Sequence, residues 1–249
     1  MFRLVMNNGD LLKKSIPIIS EIIDEGVFKV SQNGLSLLSP DRTMVAVVDF
    51  NIPSSAFDEF SVEGVQEIGL NMSSLVDVIK RIKSTDKVII QSGKDNRVSI
   101  NLEGNGKRKF KLSLLDIKTE KPPIDQLKFT GRIELKSGLL EDAIADAEIV
   151  ADSLVMQASP DLFKISTKGD ISSTELELRK GEEGLINMEA ADAIRARYPL
   201  EYLKKMIKAA KISDNVTLEF GTDYPMRIEF KAIDKVILKF VLAPRIESE

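Results

Sequence analysis

Four stretches of the chain carry apolar residues every three or four positions, the period of an amphipathic helix. The first covers roughly 10–23, with Asp10 as possible N-cap and Leu11, Leu12, Ile16, Ile19 and Ile23 facing inward. Pro17 falls inside it; having no N–H, it is expected to kink or shorten the helix. The second, roughly 73–83, opens on Ser73 or Ser74 as cap and buries Leu75, Val78, Ile79 and Ile82. The third, roughly 138–149, buries Leu139, Leu140, Ala143, Ile144 and Ala147. The fourth, roughly 199–211, takes Pro199 in its first turn and turns Leu203, Met206, Ile207 and Ala210 inward. Elsewhere apolar and polar residues alternate, as in KRKFKLSL (107–114) and STELELRK (173–180), and that period of two predicts strands.

Shifted by 128 residues, the chain matches itself without a gap. Leu11-Leu12 meets Leu139-Leu140, Asp24 meets Asp152, and Val27 meets Val155. Leu75 meets Leu203, Ile79-Lys80 meets Ile207-Lys208, and Asp86 with Val88 meets Asp214 with Val216. The constant offset and repeated element order predict a duplication: two domains, 1–115 and 130–249, of antiparallel sheets with two helices each, an α+β fold. The join, DIKTEKPPIDQLKF (116–129), has two adjacent prolines that break any element, so it reads as an interdomain connector.

Composition then narrows the chemistry. With 249 residues, 43% apolar and 30% charged, the chain can fill two cores of ordinary size. No apolar run approaches the ~18 residues a membrane helix needs, and a soluble intracellular protein is expected. There is no Cys and no His, which removes thiolate nucleophiles, Ser–His catalysis and imidazole metal sites. Only carboxylates, with or without Mg²⁺, are left for catalysis, and no P-loop, G-x-G-x-x-G or paired-carboxylate signature is present. The i,i+4 carboxylates Asp142 and Asp146 in DAIADAE suit pairing with basic side chains better than holding a metal. No catalytic residue, metal or cofactor is expected.

Net charge is −4, yet the polar helix faces differ in sign. The first offers Lys13 and Lys14, the second Lys80, Arg81 and Lys83, the fourth Lys204, Lys205, Lys208 and Lys211. The third is acidic, with Glu141, Asp142, Asp146 and Glu148. If the repeat puts the helices on one side of a sheet, Lys13, Lys14, Lys80, Lys204, Lys205, Lys208 and Lys211 form a surface suited to phosphates. No aromatic is expected to project from these faces, which favours duplex over single strand and backbone over base.

The segments DEGVFKVSQNGLSLLSPDRTMVAVVDF (24–50), GLNMSSLVDVIKRIK (69–83), the connector and LAPRIESE (242–249) resemble the archaeal and eukaryotic sliding clamp, the proliferating cell nuclear antigen family. The resemblance covers the whole length. The family's common MDPS is here SPDR, with Pro40 where Met is frequent, and Val241 stands where Tyr can occur. The resemblance implies a closed ring of three subunits and six domains around duplex DNA, with helices lining the hole. It implies a processivity factor without chemistry of its own, nucleoid-associated in an archaeon and nuclear in a eukaryote. Implied partners are a clamp loader and DNA polymerase, flap endonuclease and DNA ligase bearing short motifs that end in two aromatics. Carried over residue by residue, their docking pocket is Met44, Val47, Ile124, Pro225, Val241, Ala243, Pro244 and Ile246. Two other readings stay open at this point: a peptide-docking scaffold of the same fold that does not act on DNA, and a carboxylate enzyme.

The repeat also predicts how such a ring closes. If 45–52 pairs with 235–242, the equivalent strands 107–114 and 173–180 are left as open edges, which are a liability unless paired. Lys107, Arg108 and Lys109 beside one edge complement Glu175 and Glu177 on the other, and Asp142 and Asp146 are placed to meet Arg81, Lys83 or Arg108 of the next subunit. The resemblance implies three subunits; one chain carrying both edges favours identical copies, a homotrimer, with a heterotrimer of sister subunits left open. Finally, Pro244 is expected to hold the tail extended and out of the sheet, presenting Ala243, Pro244 and Ile246 on the surface.

Overall fold

A computed structural model describes residues 1–92, 95–118 and 121–246. Strands form wherever the period of two runs: in Ala46–Pro53 the residues Ala46, Val48, Phe50 and Ile52 are buried and their neighbours half-buried. The first half runs β1 (Phe2–Met6), α1 (Asp10–Ile19), β2 (Glu25–Ser31), β3 (Gly34–Pro40), β4 (Ala46–Pro53) and β5 (Glu59–Val62). It continues with β6 (Gln66–Asn71), α2 (Met72–Ile79), β7 (Lys87–Ser92), β8 (Arg97–Glu103) and β9 (Lys107–Ser113). The second half runs β10 (Gly131–Lys136), α3 (Ser137–Val150), β11 (Ser153–Ser159), β12 (Leu162–Lys168), β13 (Ser173–Arg179) and β14 (Leu185–Ala190). It ends with β15 (Ile194–Pro199), α4 (Leu200–Met206), β16 (Asn215–Phe220), β17 (Met226–Ala232) and β18 (Val236–Leu242). A shift of 128 carries β2, β3, β6 and β7 onto β11, β12, β15 and β16 with identical ends.

The chain divides into two compact units. One holds Met1–Pro122 with Ala232–Leu238, the other Pro123–Lys231 with the residues from Lys239 onward. The first unit contains the sheet β5-β1-β7-β8-β9 and the antiparallel set β6-β2-β3-β4, with Val236–Leu238 of β18 flanking β4. The second contains β14-β10-β16-β17-β18 and the antiparallel sheet β15-β11-β12-β13. As the repeat predicts, β9 and β13 are outermost strands, each with a neighbour on one side only among the described residues.

The core of the first unit collects side chains from both sheets and both helices: Leu4, Phe28, Leu35, Ile68, Leu75 and Ile100 are all buried. In the second, Ile133, Met156, Phe163, Leu203, Leu218 and Ile228 are buried likewise, and Phe163 approaches Phe220 at 6.5 Å between ring centres. Tyr198 is fully buried there; its hydroxyl donates to the Tyr224 carbonyl at 2.8 Å, and burial pushes its phenol pKa up.

Helix ends correct the expectations in three places. Asp10 is not the cap of α1: Gly9 precedes the helix, and the Asn8 side-chain oxygen accepts from the Asp10 N–H at 2.8 Å. The regular helix stops at Ile19, two residues past Pro17, and tighter turns, such as Ile22 N–H to Ile19 O at 3.0 Å, carry the chain to Ile23. In α2 the cap is Asn71, not Ser73 or Ser74: its extended backbone lets the side chain accept from the Ser74 N–H at 3.0 Å. Among the described residues no helix is long and apolar enough to cross a membrane.

Candidate functional site

Three features of the units bear on function: the basic helix faces, the two open edges, and a groove beside the start of the connector. In the first unit α1 packs on α2, and Lys13, Lys14, Lys80, Arg81 and Lys83 all point to solvent. In the second, α3 packs on α4 and on the 3-10 turn Ile207–Lys211. Lys204, Lys208 and Lys211 are exposed, but Lys204 is ion-paired with Glu148 of the acidic helix, so part of that basic face is already neutralised within the chain. Lys205 is half-buried with its ammonium 5.4 Å from the centre of the Tyr202 ring. An aromatic therefore does stand on α4, against expectation, though a half-buried one engaged by a cation.

The edge strands carry complementary charge on their outer faces. β9 alternates exposed Lys107, Lys109 and Lys111 with half-buried Arg108, Phe110 and Leu112. β13 alternates exposed Glu175 and Glu177 with half-buried Thr174 and Leu176 and buried Leu178. Several of these charges have partners inside the chain: Lys164 pairs with Glu175 and, at 3.6 Å, with Glu177, and Lys107 lies 3.5 Å from Glu103. Asp142 and Asp146 lie exposed on α3, which packs beside β13.

Arg108 serves its own unit. It bonds to the carboxylate of Asp86 and donates to the Arg81 carbonyl at 3.0 Å. Asp86 is only 2% exposed and also accepts from the Lys83 N–H at 2.7 Å. That backbone donor first, and then the guanidinium, hold the Asp86 carboxyl below its ordinary value of 3.8. A lowered folded-state pKa stabilises fully above 3.8, and the effect is lost as pH falls through the lowered value. We expect Asp86→Asn to melt below the wild type at neutral pH, with the gap narrowing as pH drops below 3.8; a gap independent of pH in thermal melts would contradict this.

The groove encloses about 300 Å³ in the first unit and is lined by Ile23, Asp24, Glu25, Ser39, Pro40, Arg42, Met44, Ile117 and Lys118. Its rim is the SPDR turn. Asp41, 6% exposed, accepts the Val45 and Ala46 N–H groups, each at 2.8 Å, on one oxygen and the Thr43 N–H and hydroxyl on the other. The turn holds Met44 at φ +60° with 66% of its surface exposed. A left-handed residue with a side chain costs roughly 1–2 kcal/mol, which the Asp41 bonds offset. Asp41→Ala orphans these donors and is expected to destabilise the chain by about 2–3 kcal/mol in denaturant unfolding; a change under ~0.5 kcal/mol would show that the turn holds without it. Pro40 lines the groove, as does Met44, while Val47 is half-buried beside them on β4.

The other residues expected to dock clients lie in the second unit. Ile124 and Val241 are buried, Pro225, Ala243 and Pro244 half-buried, and Ile246 is 73% exposed. Residues 123–129 of the connector are held there by Arg227, which donates to the Ile124 carbonyl at 3.4 Å and stacks 4.7 Å from the Phe129 ring. The tail is not kept off the sheet entirely: Arg245, one residue past Pro244, donates its N–H to the Arg197 carbonyl of β15 at 2.7 Å. Arg245, ion-paired with Asp152, pins the tail. The rest of the sequence-identified ESE terminus and residues 119–120 lie outside the described residues. Ile117 and Lys118 were not among the expected site residues; the 128-residue repeat, which pairs them with Arg245 and Ile246, was the available signal. Among the described residues no cluster of acidic side chains has metal-binding spacing.

Two family models match in tandem: the proliferating cell nuclear antigen N-terminal domain over residues 1–125 and its C-terminal domain over 123–245. The chain is 35% identical over 247 residues to a DNA polymerase sliding clamp of Thermococcus gammatolerans, covering 99% of both. It is 33% identical to that of Pyrococcus abyssi, again over 99% of both. The crystal structure of the proliferating cell nuclear antigen of Thermococcus kodakaraensis superposes with a TM-score of 0.92 at 27% identity, over 98% of this chain and 100% of that one. That of Entamoeba histolytica gives 0.90, also at 27% identity, over 98% and 99%. With both halves matched in order and relatives similar from end to end, the chain belongs to the proliferating cell nuclear antigen family.

Proposed function

We propose that this chain is a DNA polymerase sliding clamp: a subunit of a homotrimeric, six-domain ring that encircles duplex DNA and tethers polymerase and other replication and repair proteins, without chemistry of its own. One observation carries the ring. The units are duplicates, and β4, flanked by Val236–Leu238 of β18, is the counterpart of β13, while β18 is the counterpart of β9. The pairing made by β4 and β18 is thus open at β13 and β9. A neighbouring copy that joins them makes a heterologous contact, which closes when the rotation per subunit divides the circle.

The exposed lysines Lys13, Lys14, Lys80, Lys208 and Lys211 are the phosphate contacts, with Lys204 and Lys205 held partly by Glu148 and Tyr202. Such contacts read no sequence, as sliding requires. Residues 116–129 act as the connector between domains. Met44 and Val47 in the first unit, and Ile124, Pro225, Val241, Ala243, Pro244 and Ile246 in the second, are the docking residues for clients with aromatic-ended motifs, among them DNA polymerase, clamp loader, flap endonuclease and DNA ligase. The groove beside Met44 and Ile117 has room for an aromatic anchor. The protein works where the chromosome lies, on the nucleoid or in the nucleus. Primer extension on a long single-stranded template tests the reading: adding the chain to its polymerase lengthens the product of a single binding event, and unchanged lengths overturn it.

A further inference from the structure

The C-terminal tail bonds in the second unit to the counterpart of the strand residue that the start of the connector bonds to in the first, but from a position two residues further along the repeat. Leaving β9, the Leu115 N–H donates to the Gly69 carbonyl of β6 at 2.9 Å. Leaving β18, the Arg245 N–H donates to the Arg197 carbonyl of β15 at 2.7 Å. Gly69 and Arg197 are equivalent under the 128-residue shift. One backbone bond is a weak hold on so short a segment, and the tail has a second: Arg245 Nη1 lies 2.6 Å from Asp152 Oδ2.

Asp152 is well placed to hold it. Its carbonyl accepts the first N–H of α4, from Leu200, at 2.9 Å, which fixes its backbone against a helix start. Its counterpart Asp24 does the same for α2, accepting from the Met72 N–H at 2.9 Å. Each carboxylate then meets an arginine on a different segment: Asp24 meets Arg42 at 3.2 Å, two residues before Met44, and Asp152 meets Arg245, beside Pro244 and Ile246. Duplication has thus placed one carboxylate in each unit against a segment that bears outward apolar side chains. The ionic hold is felt by both partners: Arg245 lowers the Asp152 pKa and Asp152 raises that of Arg245.

We infer that Asp152 is a positioning residue for client docking, holding Arg245 so that Pro244 and Ile246 are presented in one conformation before a client arrives. The inference rests on the docking surface proposed above. It adds that the tail is pre-organised by a clasp, so ordering it does not oppose binding. The clasp is exposed, so its effect is modest and falls with salt.

The test is fluorescence anisotropy of a fluorescein-labelled peptide ending in two aromatics, titrated with wild type, Asp152→Asn, Arg245→Gln, and the reversed pair Asp152→Arg with Arg245→Asp. Each single change is expected to weaken binding about three- to five-fold at low salt, with at most a small loss of melting temperature. The reversed pair should recover most of the loss, and about 0.5 M salt should bring all four proteins together. Single variants that bind like the wild type, or a reversed pair no better than the singles, overturn the clasp alone. A wild type that does not bind the peptide overturns the docking surface and the clasp with it.

Discussion

We expect Glu175→Lys with Glu177→Lys to reduce the proposed trimer to a monomer at concentrations where the wild type assembles. Both glutamates are exposed on the outer strand β13, and the opposing strand offers exposed Lys107, Lys109 and Lys111. Across an antiparallel pair, facing side chains lie about 4.5–5.5 Å apart, and like charges there are destabilising. Reversal turns two attractions into repulsions, which should raise the half-assembly concentration roughly 30- to 1000-fold. The change also sets two lysines near Lys164, which now pairs with both glutamates, so some loss of melting temperature accompanies it. Adding Lys109→Glu to the same chain separates the two effects, because it restores complementarity across the edge without changing the surroundings of Lys164; Lys111 is left in place because it pairs with Asp95 at 3.3 Å in its own unit. Recovery of the trimer by sedimentation supports edge pairing. A monomer that stays a monomer, or a double reversal that never dissociates, contradicts it.

Replacing Lys13, Lys14, Lys80 and Lys208 by alanine will weaken DNA binding equally on all sequences. Lys13 and Lys14 project from α1, Lys80 follows the end of α2, and Lys208 lies on the 3-10 turn after α4. Each phosphate contact releases counterions, so log affinity falls against log salt with a slope of about one per contact. Loss of four contacts should flatten the slope by roughly three to four for each subunit that engages DNA. The effect should be largest at low salt and nearly vanish at high salt. An unchanged slope places the DNA elsewhere, whatever happens to affinity at a single salt concentration.

The helix faces were legible because a buried stripe must recur at 3.6 residues, and the inward residues Leu12, Ile16, Leu75, Ile79, Ile144 and Leu203 are all buried. The edges were legible because duplication plus one pairing leaves its counterpart open. Helix ends were less so. Ser73 and Ser74 carry the right side chain for a cap, but the extended residue is Asn71, and backbone angle decides the cap. Pro17 gave a correct warning for α1 without saying how far the turns beyond it would run. Least legible were contacts between distant residues. Nothing local joins Arg245 to Asp152, or Arg108 to Asp86, and the pattern of charges assigned Arg108 to a neighbouring subunit's carboxylates when it bonds one of its own unit. The bonds of Asp41 were hidden for another reason: SPDR departs from the family's spelling, although its buried carboxylate organises four donors.

A protein that surrounds DNA is held by topology, and one that merely adheres to it is held by charge. The most direct measurement places the protein, with its clamp loader and ATP, on a nicked circular plasmid, and separates bound from free protein by gel filtration in about 0.5 M salt, where surface charge contacts are screened. The same complex is then cut once with a restriction enzyme. A topological link predicts protein that stays with the circle and leaves once the DNA has ends. Protein that leaves the circle at the same salt, or remains on the linear form to the same extent, would contradict a ring.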